Sequence, residues 1–235
     1  MVDVGPMETS LHRQLKELYA DSHDQVEVRL GSFIIDAIQD ETLVEIQHGS
    51  LAAIRDKCHK LLRQHRLRVV KPIVARKQLV KLTRKGGKVA GRRMSPKKGT
   101  MIDLFHELIY FTKVFPHPNL ELEVILVDME EWRYPKPLRQ RRWRRRDYKV
   151  QDQVLIEIEQ QQTFRSAADL LALLPDGLPK KFHTGQLAES MGVARWVAQR
   201  VAYVLREIKA IRPAGKQGNT RLYEIKRPRK LRRAG

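Results

Sequence analysis

A single cysteine, Cys58, leaves no route to an internal disulfide or to a cysteine-based zinc site. No stretch approaches the ~20 apolar residues of a membrane span. Residues 1–6 lack the basic start and apolar run of a secretory signal, so the chain is expected in a reducing cytoplasm, away from membranes. The eight histidines include no pair spaced for zinc, and no HExxH occurs. Gly86-Gly87 and Gly215-x-x-Gly218 match neither a dinucleotide fingerprint nor a phosphate-binding P-loop, and no Ser or Cys lies in a nucleophile motif. Acid is scarce beside base: 27 Asp and Glu against 46 Lys and Arg, a net charge of +19. Such an excess calls for a polyanionic partner, and nucleic acid is the first choice because neutralising its phosphates releases condensed counterions. Anionic lipid fits less well, since no basic amphipathic helix carries a bulky apolar face. At 235 residues and 42% hydrophobic content, the chain can build one large domain or two small ones.

What is present begins with two Ile- and Val-rich runs, Phe33 to Ile38 and Leu43 to Gln47, as half-buried strands require. A turn from Gln39 to Thr42 closes them as a hairpin, with Ile38 opposite Leu43. That register sets Asp36 opposite Glu45, where directly opposed Cβ atoms lie about 4.5–5.5 Å apart. Two carboxylates this close repel unless something positive sits between them, and a divalent cation held by both is the natural candidate. The two-residue period puts Gln47 on the Glu45 face and turns Val44 and Ile46 to the core. Read one at a time, Asp36 is equally a polar hairpin residue, and Glu45 a surface carboxylate balancing arginines.

The spacing Asp36, Glu45-x-Gln47 resembles the active-site motif of the PD-(D/E)XK nuclease superfamily, with Gln47 where lysine is usual. The order of predicted elements agrees: a helix over 11–20, strands over 26–30 and through Asp36 and Glu45, a helix over 51–65, then a strand over 67–74. The resemblance spans residues 8–132 and implies a restriction-endonuclease-like α/β (α+β) core with a mixed sheet. It also implies Mg²⁺ or Mn²⁺ held by Asp36 and Glu45 with Ile46 beside them, and phosphodiester hydrolysis. Gln47 can hydrogen-bond a water but carries no charge, so Lys71 on the next strand is a candidate to supply it; an exposed strand-end lysine is the plainer reading. Glu27 is a third carboxylate that either joins the metal's outer ligands or pairs with Arg29, and Glu17 is a weaker rival for that place. Gly31 marks a bulge or a close approach of DNA backbone.

Residues 77–93 read as a basic hairpin around Gly86-Gly87, followed by a helix over 101–112 and a strand over 120–127. Arg93, Ser95, Lys97 and Lys98 are expected phosphate contacts. Residues 133–149 are dense in arginine and contain Pro135 and Pro137, so they read as a basic linker, with Arg141, Arg142, Arg144 and Arg145 as a backbone-binding arm. Residues 150–162 and 166–174 are predicted helical. Thr184 caps a short helix, Gly192 makes a tight turn, and a long helix runs over 194–209. Glycine-rich residues 214–220 then join two short strands. Residues 150–226 thus resemble a winged helix-turn-helix domain, with a basic tail over 227–235. On its long helix Arg195 and Gln199 are the expected base readers, small Ala198 and Ala202 allow close approach to a groove, and Lys216 and Arg221 in the wing hold phosphate.

Together these features lead to a metal-dependent DNA endonuclease, acting on duplex or branched DNA under the guidance of its winged helix. Double-strand cutting takes two active sites, which allows for a homodimer. A non-catalytic DNA-binding regulator or scaffold on an inactive nuclease fold is the alternative.

Overall fold

The computed structural model describes residues 8–137 and 147–226. Its centre is a seven-stranded sheet built by β1 (Val26–Leu30), β2 (Phe33–Gln39), β3 (Thr42–Ile46), β4 (Leu67–Leu82), β5 (Val89–Met94), β6 (Leu120–Pro135) and β7 (Tyr148–Phe164). The order across the sheet is β1-β2-β3-β4-β6-β7, with β5 pairing the far end of β4. β1, β2 and β3 form an antiparallel meander; β3, β4 and β6 run parallel, and β7 returns antiparallel along β6. The class is therefore mixed α/β with both pairing senses in one sheet.

The β2–β3 register follows the apolar pattern: Ile38 lies opposite Leu43 and Gln39 opposite Thr42. Asp40 and Glu41, the two turn residues, both take positive φ (45° and 60°), as a two-residue I′ turn between twisted strands demands. Gly31, at φ 58°, serves the β1–β2 turn rather than a bulge.

Helix α1 (Ser10–Tyr19) lies across one face of the sheet, burying Leu11, Leu15 and Tyr19 at four-residue spacing against Ala37, Val44, Ile46 and Val70. The opposite face is covered by α2 (Arg55–Leu61), the β3-to-β4 crossover, and by α3 (Leu104–Leu108). After the sheet come α4 (Ala167–Leu171), α5 (Thr184–Met191), α6 (Arg195–Glu207) and a hairpin of β8 (Ile211–Gln217) and β9 (Thr220–Ile225). Gly192 ends α5 in the left-handed conformation (φ 62°). The cap at the start of that helix is His183, whose Nδ1 accepts from the Gly185 and Gln186 N–H groups, and not Thr184.

Two sequence expectations are corrected here. Residues 150–162 are strand β7, paired along β6 from Tyr148 to Phe164, and not a helix. Residues 133–149 are consequently no linker between domains: β6 runs to Pro135, β7 starts at Tyr148, and Lys136 N–H donates to the Asp147 carbonyl, so the described ends of the segment continue the pairing of β6 with β7. Arg141, Arg142, Arg144 and Arg145 lie outside the described residues, as does the tail 227–235. The smaller unit begins near Ser166, and its core is continuous with the first: Leu187, Ala198, Val201 and Leu205 belong to the same buried cluster as Leu104, Phe105 and Phe111.

The outer halves of β4 and β6, with β5 and the start of β7, project as an arm. β3 ends level with Val70 of β4, and β4 continues to Lys81, about 35 Å further at ~3.3 Å per residue.

Candidate functional site

The ladder between β2 and β3 stops at Ala37 opposite Val44. Beyond it, side chains replace strand-to-strand bonds. Ile46 N–H donates to Asp36 Oδ2 at 2.7 Å, and the Glu45 carboxylate draws on the Asp36 main chain. The two strands part here, and both carboxylates fill the gap. Glu45 is 4% exposed and Asp36 is half-buried.

Each carboxylate faces a basic side chain that the sequence pattern does not reveal. Lys57, from α2, sets its ammonium against Glu45 Oε1 and 2.5 Å from the Ile34 carbonyl. His12, from α1, brings Nε2 within 3.5 Å of Asp36 Oδ1 and 3.7 Å of Glu8. The His12 ring meets His48 edge to face, centroids 5.5 Å apart. The only sequence trace of His12 is its place beside the buried Leu11, Leu15, Tyr19 stripe. For Lys57 it is the adjacent Cys58, which is buried and so turns that flank of α2 to the sheet.

The electrostatics follow from this packing. Burial pushes the Glu45 carboxyl up to about 7, and the Asp36 charge adds to it; the Lys57 ammonium resists both. Burial also disfavours Asp36 ionisation, but the His12 and Ile46 hydrogen bonds, with the His12 and Lys57 charges, outweigh it and hold Asp36 below the usual carboxylate range. Burial, then the His12 and Lys71 charges, pushes His48 down to about 4, so it is neutral at pH 7, with a buried Nε2 that has no hydrogen-bond partner.

The remaining expected site residues divide. Gln47 turns its amide to the Ser50 carbonyl (2.8 Å). Lys71 is buried, and its ammonium donates to the carbonyls of His48 (3.0 Å) and Gly49 (2.5 Å), with Glu107 at 3.7 Å. Lys71 is thus no exposed strand-end lysine; it pins the loop that follows Glu45. Lys71→Met, which strips two carbonyls of a charged donor, is expected to lower stability by roughly 3 kcal/mol, read from urea unfolding. Glu27 sits at φ 55° and pairs with Lys16 of α1, not with Arg29. Ile46 buries its side chain and its N–H is taken by Asp36, which leaves its carbonyl as the one group that could ligate an ion.

Among the described residues, no group of three or more His, Cys, Asp or Glu is arranged to hold a metal ion. Asp36 and Glu45 are nevertheless oxygen ligands of the kind that a hard divalent cation takes. The Lys57 ammonium, seated between a carboxylate and a carbonyl, marks the place as favourable for positive charge.

The arm that leaves this end of the sheet is basic. Lys81, Arg84, Lys85, Lys88 and Arg93 are exposed and make no ion pair among the described residues, and the same holds for Lys97 and Lys98 beyond β5. Ser95 is half-buried, its N–H on the Lys77 carbonyl and its Oγ accepting from Lys97 N–H. In the smaller unit Arg195 and Gln199 are exposed on α6, and Lys216 faces Arg221 across the β8–β9 hairpin. Ala198 and Ala202, expected to face a groove, are buried instead. The N-terminal half of α6 rests on α3, where Trp196 stacks on His106 and Arg200 reaches His106 Nδ1 at 3.0 Å.

Residues 9–165 match the family model described as "Domain of unknown function (DUF8091)". The chain belongs to that family. The matched stretch ends one residue after β7, so the family unit is the sheet with its flanking helices. An uncharacterized protein of Treponema pallidum (strain Nichols) is 30% identical over 223 residues, covering 94% of this chain and 86% of the relative, so both units recur together. No solved structure matches. No helix among the described residues is long and apolar enough to cross a membrane.

Proposed function

We propose that the chain is a Mg²⁺- or Mn²⁺-dependent DNA endonuclease on a PD-(D/E)XK-like core. The observation that carries this reading is the parting of β2 from β3 with Asp36 and Glu45 filling the gap. The element order supports it: an antiparallel meander, a crossover helix, then a parallel fourth strand. Asp36 and Glu45, with the Ile46 main chain, would hold the ion, whose part is to polarise the phosphate and lower the pKa of a water. The chain's own residues do the rest. Lys71 fixes the loop after Glu45, and α1 closes over Asp36 through His12. The basic arm starts at the same end of the sheet and offers a phosphate-binding track about as long as one turn of duplex, roughly 34–36 Å. The smaller unit, read as a winged helix, would add the β8–β9 wing with Lys216 and Arg221. Because α3 holds the start of α6, the exposed Arg195 and Gln199 have less room at a groove than a free recognition helix would. A cytoplasmic site of action and a homodimer for double-strand cutting belong to the same reading.

One observation favours the alternative of a non-catalytic DNA-binding protein: Gln47 is turned to the loop, and Lys57 already pairs with Glu45. Incubation with linear, nicked and branched DNAs, with and without Mn²⁺, separates the two. Wild type is expected to cut only with the ion, and Asp36→Ala not at all. Binding without cutting in every condition would establish the alternative, and cutting that survives Asp36→Ala would remove this site.

A further inference from the structure

Lys57 does not fit a merely supporting role. Its ammonium touches the Glu45 carboxylate and the Ile34 carbonyl, and its charge also reaches Asp36. It lies, therefore, among the oxygens that a divalent ion would use. The other two groups that might have carried charge here are engaged: Lys71 under the carbonyls of His48 and Gly49, Gln47 on Ser50. Lys71 is also fully packed, whereas the Lys57 side chain is 20% exposed at the rim of the gap. A lysine there has a flexible four-carbon stem and a strongly hydrated head, so it can leave the oxygens for water without moving the helix that bears it. No carboxylate other than Glu45 pairs with it among the described residues.

We propose that Lys57 is the resident cation of this site: it balances the charge of Glu45 when no divalent ion is bound, and it competes with that ion for the same oxygens. This rests on the nuclease reading, because it takes Asp36 and Glu45 as the ion's ligands. The consequence is a built-in threshold. Two bare carboxylates would capture any passing divalent ion, whereas a tethered ammonium at high local concentration sets a level the ion must exceed. It also explains how a closely packed acidic pair persists in the folded chain without an ion.

The test is calorimetric titration of MnCl₂ into the full chain, with thermal melting in parallel, for wild type, Lys57→Met, Lys57→Arg and Glu45→Gln. Lys57→Met is expected to bind Mn²⁺ at least about tenfold more tightly than wild type, since a unit charge a few ångströms away acts through an effective dielectric near 20. Its melting temperature should fall without Mn²⁺ and recover further than that of wild type when Mn²⁺ is added. Lys57→Arg keeps the charge and should match wild type or bind more weakly. Should Lys57→Met fold poorly, Lys57→Gln keeps the stem and a polar head and serves the same comparison. Equal or weaker Mn²⁺ binding by the neutral variants, with binding still lost in Glu45→Gln, would overturn the competition while leaving the ion site intact. No Mn²⁺ binding in wild type or in any neutral variant would overturn both this inference and the nuclease reading.

Discussion

Glu45→Gln is expected to reduce Mn²⁺-dependent DNA cleavage by about 10²–10³-fold, the scale on which removing one aimed electrostatic group acts. DNA affinity should stay within about twofold, because the carboxylate is buried and faces Lys57 and Asp36 rather than an open phosphate track. The pH dependence is a second readout of the same residue. The Glu45 carboxyl in the folded chain titrates near 7, against an ordinary value of 4.5. Between those values the folded chain holds a proton that the unfolded chain has lost, so stability falls as pH rises from about 4.5 to about 7 and the cost is complete above 7. Glutamine carries no such cost. The stability of Glu45→Gln relative to wild type should therefore increase across that window, by no more than about 3 kcal/mol, and level off above it. Cleavage by wild type should rise through the same window as the carboxylate becomes available. A stability difference that is flat from pH 4.5 to 8 would mean that burial does not raise this group.

Replacing Lys81, Arg84, Lys85, Lys88 and Arg93 together with alanine should produce the largest loss of DNA affinity. All five are exposed on the arm and none is in an ion pair among the described residues, which suits each to a phosphate. Arg92 and Lys77, by contrast, are paired to Glu130 and Glu131 and serve as internal controls. If the five neutralise one phosphate each, the slope of log affinity against log salt should become shallower by about 4.5. Anisotropy of a labelled duplex over a salt series gives the number. An unchanged slope would mean that DNA does not follow the arm, and would move attention to the β8–β9 wing.

The short-range part of the fold was readable from the sequence, and the long-range part was not. Ile38 opposite Leu43 follows from alternation on both sides of a four-residue turn. Strand β7 was hidden. Val150, Val154 and Ile158 repeat at helical spacing, and the segment is rich in Gln and Glu, which favour helix. Register shifts against β6 at Leu126/Val127, Asp128/Met129 and Trp132/Arg133 break the two-residue period that would have marked a strand. A similar shift between Val74 and Arg76 made one long β4 read as two strands. The linker reading of residues 133–149 fails for a different reason: composition does not record that β6, which ends at Pro135, pairs with β7, which starts at Tyr148. At the site, residues close in sequence were found and residues brought by packing were not. Asp36 and Glu45 lie on one hairpin; Lys57 and His12 arrive on helices whose docking no local pattern records.

That docking has a temporal side. Helix α1 is tied to β7 by Ser10, whose N–H and hydroxyl both bond Asp152, and by Gln14, which accepts from Leu155 N–H. β7 in turn needs β6, and β6 needs β4 across more than fifty residues of intervening chain. Pairings of such long sequence separation form late, after the local hairpins. During synthesis His12 is made long before β7, yet it settles beside Asp36 only once the strand ending at Phe164 has emerged. A polypeptide halted before that point would carry both carboxylates with the helix not yet docked over them.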